Sequence, residues 1–157
     1  MSGAGATGLL DRLADWLPLA LAGGAGAACR WIVDTHVNRV STAVSAFVLR
    51  RRGSGGPQVP RMPWGTVVVN VTACLLMGLL VGRAGGAPEP GAWAAAALSV
   101  LGTGFLGGYS TFSTACVEGA RLLLAGRQGP ALAHAALMTV ATLGAVGLGL
   151  TAGTALR

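Results

Sequence analysis

The stretch Gly102–Glu118, GTGFLGGYSTFSTACVE, decides how the chain folds. It is uncharged up to its last residue and long enough, with its flanks, to cross a bilayer, yet it carries glycines and hydroxyls where a simple span carries leucines. Lipid tolerates such backbone only where protein buries it or where it lines a path for something polar. Two adjacent glycines and a serine, Gly107-Gly108-Tyr109-Ser110, predict a helix that is interrupted there. Unwinding frees carbonyl oxygens, which are ligands for a small hard cation; a packing kink is the alternative reading of the same residues.

The rest of the chain sets the solvent in which this segment sits. Over 157 residues, 53% hydrophobic and 10% charged side chains leave too little charge to coat a soluble globule. A span needs roughly 20 apolar residues to cross about 30 Å of hydrocarbon. Four windows qualify, at 16–36, 63–83, 90–118 (broken near 106–110) and 129–155. The fold class is therefore an all-α membrane protein of four transmembrane helices in one domain. A loop at 37–62 joins the first two, with room for a short surface helix at Ser41–Leu49. Ahead of the first span, Leu9, Leu10, Leu13, Trp16 and Leu17 predict one face of an interfacial helix.

All 11 basic residues are arginines, and their placement orients the chain. Arg39, Arg50, Arg51, Arg52, Arg61, Arg121 and Arg127 fall on one side, against Arg12, Arg83 and Arg157 on the other. By the excess of positive charge on cytoplasmic loops, the first and third loops face the cytoplasm. Only Arg50–Arg52 cluster, without aromatic partners, so nucleic-acid binding is not indicated. Cys29, Cys74 and Cys116 lie inside spans without metal-ligand spacing, and His134 stands alone, which argues against a zinc site or an enzyme nucleophile. The literal GxGxxG at Gly102–Gly107 has no preceding strand and no acid about twenty residues on, so it is no dinucleotide site.

Within the spans, Thr66, Asn70, Cys74 and Gly78 recur every four residues and put a polar, small stripe on one face of the second helix. Asn70 needs a partner inside the membrane, either an interhelical hydrogen bond or a permeating ion. Arg30 is the one full charge well within a span, a functional candidate or a snorkelling side chain.

These motifs come together in an order. Gly23-Gly24-x-Gly26-Ala27-x-x-Arg30, then Gly65-Thr66-x-x-x-Asn70, then Gly104-Phe105-x-Gly107-Gly108-x-Ser110-Thr111-Phe112-Ser113-Thr114 and Glu118 resemble the Fluc (CrcB) family of fluoride channels. The resemblance covers most of 23–118; the fourth span is similar only in being rich in glycine and alanine. It implies a bacterial plasma-membrane channel that passively exports fluoride, built as an antiparallel dimer of four-helix subunits around a structural, non-transported sodium ion. It implies further that the Gly107 and Ser110 carbonyls hold the sodium, that Thr66, Asn70, Phe112, Ser113 and Thr114 line the fluoride path, and that Arg30 and Glu118 serve a vestibule or a structural role. One departure stands out: where the family continues Phe-Ser-Thr-Phe, this chain has Phe112-Ser113-Thr114-Ala115. With the charge bias, that loss points to a heterodimer with a homologous subunit, in which this chain's pore is half-degenerate or non-conducting, as the alternative to a homodimer. A small dimeric exporter is the other competing class, but it calls for a buried carboxylate in the first helix, where this chain has Arg30.

Overall fold

The computed structural model describes residues 3–51, 62–85 and 91–156, with side chains from Trp16 onward apart from Leu49, Ala92 and Trp93. It is helical throughout these segments. α1 spans Gly3–Arg51, α2 spans Trp64–Ala84, α4 spans Phe112–Leu124 and α5 spans Gln128–Ala155. Between α2 and α4 lies a composite helix, α3 (residues 92–109), which starts as Ala92–Ala97, widens into a π-helix over Leu98–Leu106 and closes with one turn at Gly107–Tyr109. Among the described residues, three helices are long and apolar enough to cross a membrane: α2, α5 and the part of α1 from Trp16 to Val48.

α2 and α5 begin and end within a residue of the expected spans. α1 does not. The expected loop from residue 37 is helix as far as Arg51, and the proposed surface helix at 41–49 is part of that one rod. The reason is compositional: no glycine or proline occurs between Gly26 and Gly53, so nothing stops a helix once started. Ser41 and Ser45 donate their hydroxyls to the carbonyls of Asn38 and Ser41 and so do not compete with the helical ladder. At about 1.5 Å per residue the rod is roughly 70 Å long, more than twice the hydrocarbon thickness, so it projects beyond the membrane. The remainder of the expected loop, 52–61, lies outside the described residues, as do the side chains of the expected interfacial face before Trp16.

Glycines let the helices touch. On α2, Gly78 and Gly82 lie against Gly149 and Gly153 of α5, two GxxxG pairs face to face. A Cβ on Gly149 would collide with the Leu75 carbonyl and come within 2.8 Å of the Leu79 nitrogen. Across the molecule, α3 lies on α1 in the same manner: a Cβ on Gly26 would meet the Phe105 carbonyl, and one on Gly108 the Gly23 carbonyl. The core between these contacts is small, formed by Val69, Ala73 and Tyr109 with Cys29, Val33 and Phe105 around them. The α2–α5 seam yields a prediction. Gly149→Val should lower stability by roughly 1–3 kcal/mol through overpacking, measured by unfolding in mixed detergent, while Gly144→Ala on the same helix, with open space at its Cα, should be neutral. Equal stability of the two variants would show that the seam does not hold the helices together.

α1 and α2 are joined by side chains near the α2 N-terminus. Asn38 Oδ1 accepts from the Gly65 backbone nitrogen at 3.0 Å, satisfying one of the free amides of that helix end, and its Nδ2 donates to Asp34 at 3.1 Å. Beyond Asn38, α1 leaves its neighbours behind. Val40, Val44 and Phe47 are exposed there, and Arg51 lies over the Phe47 ring at 4.8 Å.

Candidate functional site

The break in the third segment falls at Ser110 and Thr111, whose backbones are extended (ψ 159° and ψ 115°). The sequence placed it at Gly107–Ser110; instead Gly107 and Gly108 stay helical and the chain departs at the last of those four residues. Gly108 is needed to lie against Gly23, a contact that helical geometry provides and an unwound turn does not.

What holds the break open is Asn70. Its Oδ1 accepts from the Thr111 backbone nitrogen at 2.8 Å, while its Nδ2 donates to the Thr111 carbonyl at 2.9 Å and to the Thr66 carbonyl at 3.1 Å. The side chain thus mimics a strand partner for one buried residue of irregular backbone. Thr111 then caps α4: its Oγ1 accepts from the Thr114 nitrogen at 3.2 Å and hydrogen-bonds Thr114 Oγ1 at 2.9 Å. Ser113 Oγ stands at 3.4 Å from the same hydroxyl.

These bonds have a consequence for the carbonyls behind them. In a continuous helix the Thr111 nitrogen would bond the Gly107 carbonyl, and the Thr114 nitrogen that of Ser110. Here the first goes to Asn70 and the second to the Thr111 hydroxyl, so the Gly107 and Ser110 oxygens are released from the helical ladder. They are the two oxygens that the resemblance marks as sodium ligands. Uncharged carbonyl oxygens are a donor set that suits a small hard monovalent cation, so the residues present fit the group.

Next to the break, α4 and α5 enclose an open groove of about 670 Å³. Asn70, Ser110 and Thr111 lie at one side, Phe112 and Ala115 along α4, and His134 and Thr142 along α5. Phe112 is 84% exposed in the isolated subunit. A second, smaller cavity of about 200 Å³ lies on the α1 side and is lined by Arg30, Trp31, Asp34, Thr66, Thr111 and Thr114. The expected path residues therefore divide. Asn70 and Phe112 face the groove, Thr66 and Thr114 face the small cavity together with Arg30, and Ser113 borders neither.

Glu118 ties the two regions together. Its Oε1 accepts from Thr66 Oγ1 at 2.8 Å, so the Thr66 hydroxyl proton is engaged, and its Oε2 lies 3.9 Å from Nε2 of His134. His134 is 2% exposed. Sequence reading left this histidine isolated, because sixteen residues and a turn separate it from Glu118; only the hairpin of α4 and α5 brings them together. Tyr109, whose hydroxyl is 3.1 Å from Thr72 Oγ1 and whose ring stacks on Phe105, and Thr111 were likewise not singled out. The run of hydroxyl residues around the break was the available signal for Thr111.

Comparison with known proteins gives the chain's family. Residues 17–150 match the family described as CrcB-like protein, Camphor Resistance (CrcB). Among similar proteins, the fluoride-specific ion channel FluC 1 of Leifsonia xyli is 39% identical over 87% of this chain and 85% of its own length. FluC 1 of Frankia casuarinae is 37% identical over 86% of this chain and 92% of its own, and FluC of Deinococcus radiodurans 37% identical over 90% and 91%. A match that covers both the broken third segment and the long helices around it settles the kinship: the chain belongs to the CrcB family of fluoride-specific ion channels.

Proposed function

We propose that this chain is a subunit of a fluoride-selective channel that lets fluoride leave the cytoplasm passively across the plasma membrane. The observation that carries the reading is the Asn70-pinned break beside the α4–α5 groove, in a chain whose relatives are named for fluoride conduction. In this reading the broken segment 92–124 is a fourth crossing, alongside α1, α2 and α5. The first and third loops face the cytoplasm, where the arginine excess places them.

Fluoride is small and strongly hydrated, so a path for it has to replace lost water with donors while excluding larger anions. The groove offers the positive edge of the Phe112 ring, hydroxyls and the polar rim of the break. Both Asn70 amide protons are engaged in the resting arrangement, so an ion at this position exchanges with one of those hydrogen bonds rather than meeting a free donor. Thr66 and Thr114 act from the small cavity, whose charged lining residues are Arg30 and Asp34, with Glu118 holding the Thr66 hydroxyl.

The sodium fits as a structural ion. Gly107 and Ser110 would hold it with two carbonyl oxygens per chain, and a second copy in antiparallel arrangement would bring two more. When bound, the ion supplies only a fixed positive charge that pairs the carbonyls; the residues of this chain hold the break open by their own hydrogen bonds. The exposed Phe112 and the open groove are the surfaces that such a dimer covers. No proton or sodium gradient is needed for export, since the membrane potential contributes about 2.3 kcal/mol per charge per 100 mV.

The test is fluoride efflux from liposomes carrying the purified protein, recorded with a fluoride electrode and with chloride as the control anion. Fluoride efflux without chloride efflux is expected; equal passage of both, or of neither with a homologous partner present, would overturn the reading. A second reading is supported by Ala115, which lines the groove one turn after Phe112 where the family pattern has a second ring. In it the chain serves as the weaker half of a heterodimer, and efflux rises when a homologue of opposite charge bias is co-reconstituted.

A further inference from the structure

Beyond the path itself, one buried pair has unmet hydrogen-bonding capacity. Neither ring nitrogen of His134 has a hydrogen-bond partner, nor does Glu118 Oε2, although the Nε2–Oε2 separation is 3.9 Å. A neutral imidazole carries one N–H and one lone pair, and burying both unpaired is unfavourable. A second proton changes the balance, because the imidazolium then faces a carboxylate within ion-pair reach. Glu118 cannot swing away at no cost, since its other oxygen holds the Thr66 hydroxyl.

His134 also lies on the wall of the α4–α5 groove, with Phe112 and Asn70. The state of its ring therefore sets the local charge beside the proposed path. With a neutral ring the Glu118 carboxylate behind His134 is offset only by the Thr66 hydroxyl and by Arg121; with a protonated ring the pair is neutral overall. An anion in a low-dielectric groove is disfavoured in the first state and tolerated in the second. Other groups act on the same place. Asp34 from α1 and Arg121 one turn along α4 lie within electrostatic reach of Glu118, Arg30 lines the small cavity with Thr66, and Cys74 of α2 and Cys116 of α4 line the groove. Among these the imidazole is the side-chain type that takes up a proton near neutrality.

We propose that His134 is a proton-sensing positioning residue that, through Glu118, makes fluoride passage in this chain increase as the pH falls. The inference rests on the fluoride-conducting reading. It gives the channel a use for acidity: fluoride enters cells as the neutral acid, most strongly when the surroundings are acidic, which is when passage through the channel rises.

The experiment is fluoride efflux from liposomes at matched internal and external pH, with protein-free vesicles at each pH subtracting leakage of the neutral acid. Parent efflux should rise about fivefold between about pH 8 and about pH 6. His134→Gln should flatten the profile, whereas His36→Gln, on the exposed side of α1, should keep it. Robust parent efflux with a flat profile overturns the proposal while leaving the channel reading intact. No efflux at any pH, with or without a homologous partner, overturns the channel reading and the regulation built on it. Proton NMR of the solubilised protein gives a readout independent of transport: at fixed pH the His134 ring signal, identified by its loss in His134→Gln, should move in Glu118→Gln, the partner 3.9 Å away. An unmoved signal shows that the pair is not coupled and also overturns the proposal.

Discussion

Replacing Asn70 with alanine is expected to abolish measurable fluoride efflux and to destabilise the subunit by roughly 3 kcal/mol, because the change removes three hydrogen bonds at once and leaves the Thr111 N–H and carbonyl unpaired in a buried site. Each stranded backbone group costs about 1–3 kcal/mol. Asn70→Asp is the sharper variant. It keeps the oxygen that accepts from the Thr111 nitrogen but turns the donor side into a second acceptor, facing the carbonyls of Thr66 and Thr111. It should therefore lose efflux as completely as alanine while retaining part of the protection of the Thr111 amide in hydrogen exchange. Parental efflux in either variant would remove Asn70 from the path and from the break. Lost efflux with full Thr111 protection in Asn70→Ala would assign the asparagine to the ion and not to the backbone.

The dual position of Asn70 shows which parts of this molecule can be read in one dimension. The four-residue period of Thr66, Asn70, Cys74 and Gly78 placed it on an interior face of a span, and Thr66, Asn70 and Gly78 are buried there. Which group it would bond lay out of reach, since Thr111 is 41 positions away and only the packing of α3 on α1 and α2 brings it near. Hydropathy gave α2 and α5 to within a residue because a span in lipid has to satisfy its own backbone, a constraint that length and composition express directly. The end of α1 was misread for the opposite reason. Polar residues such as Asn38 and Arg39 end a hydrophobic run but do not end a helix, and the helix continues as far as Arg51.

The glycines were misread in a related way. In sequence, Gly107-Gly108 looks like flexibility; in the fold, Gly108 is a surface on which Gly23 rests, and the unwinding falls to Ser110 and Thr111, residues whose amide and hydroxyl have side-chain partners ready. Permissive backbone does not unwind unless the ladder it leaves is replaced. The pairing of Glu118 with His134 was beyond sequence reading for the same reason as the Asn70–Thr111 bond: it belongs to the hairpin of α4 and α5, not to either helix.

Ala115→Phe is expected to raise fluoride efflux of the purified single protein roughly two- to tenfold, the range that corresponds to about 0.5–1.5 kcal/mol for one well-placed aromatic edge. Ala115 lies three residues after Phe112 on α4, so a ring there falls on the same wall of the groove one turn along. The groove, at about 670 Å³, has space for it. Ala115→Leu is the control, since it fills the same space without a positive edge and should leave efflux at the parental rate. A gain in both variants would mean that narrowing the groove, and not the ring's electrostatics, speeds the ion. The same experiment decides between the two forms of assembly. If this chain pairs with itself, each restored ring repairs both paths of the dimer and the gain appears without any partner. If its arginine bias fixes it in one orientation, the single protein lacks antiparallel mates, and Ala115→Phe increases efflux only after a homologue of opposite bias is added. Strong efflux from the unmodified protein alone, unchanged by Ala115→Phe, would show that the missing ring is dispensable and that the heterodimer reading is wrong.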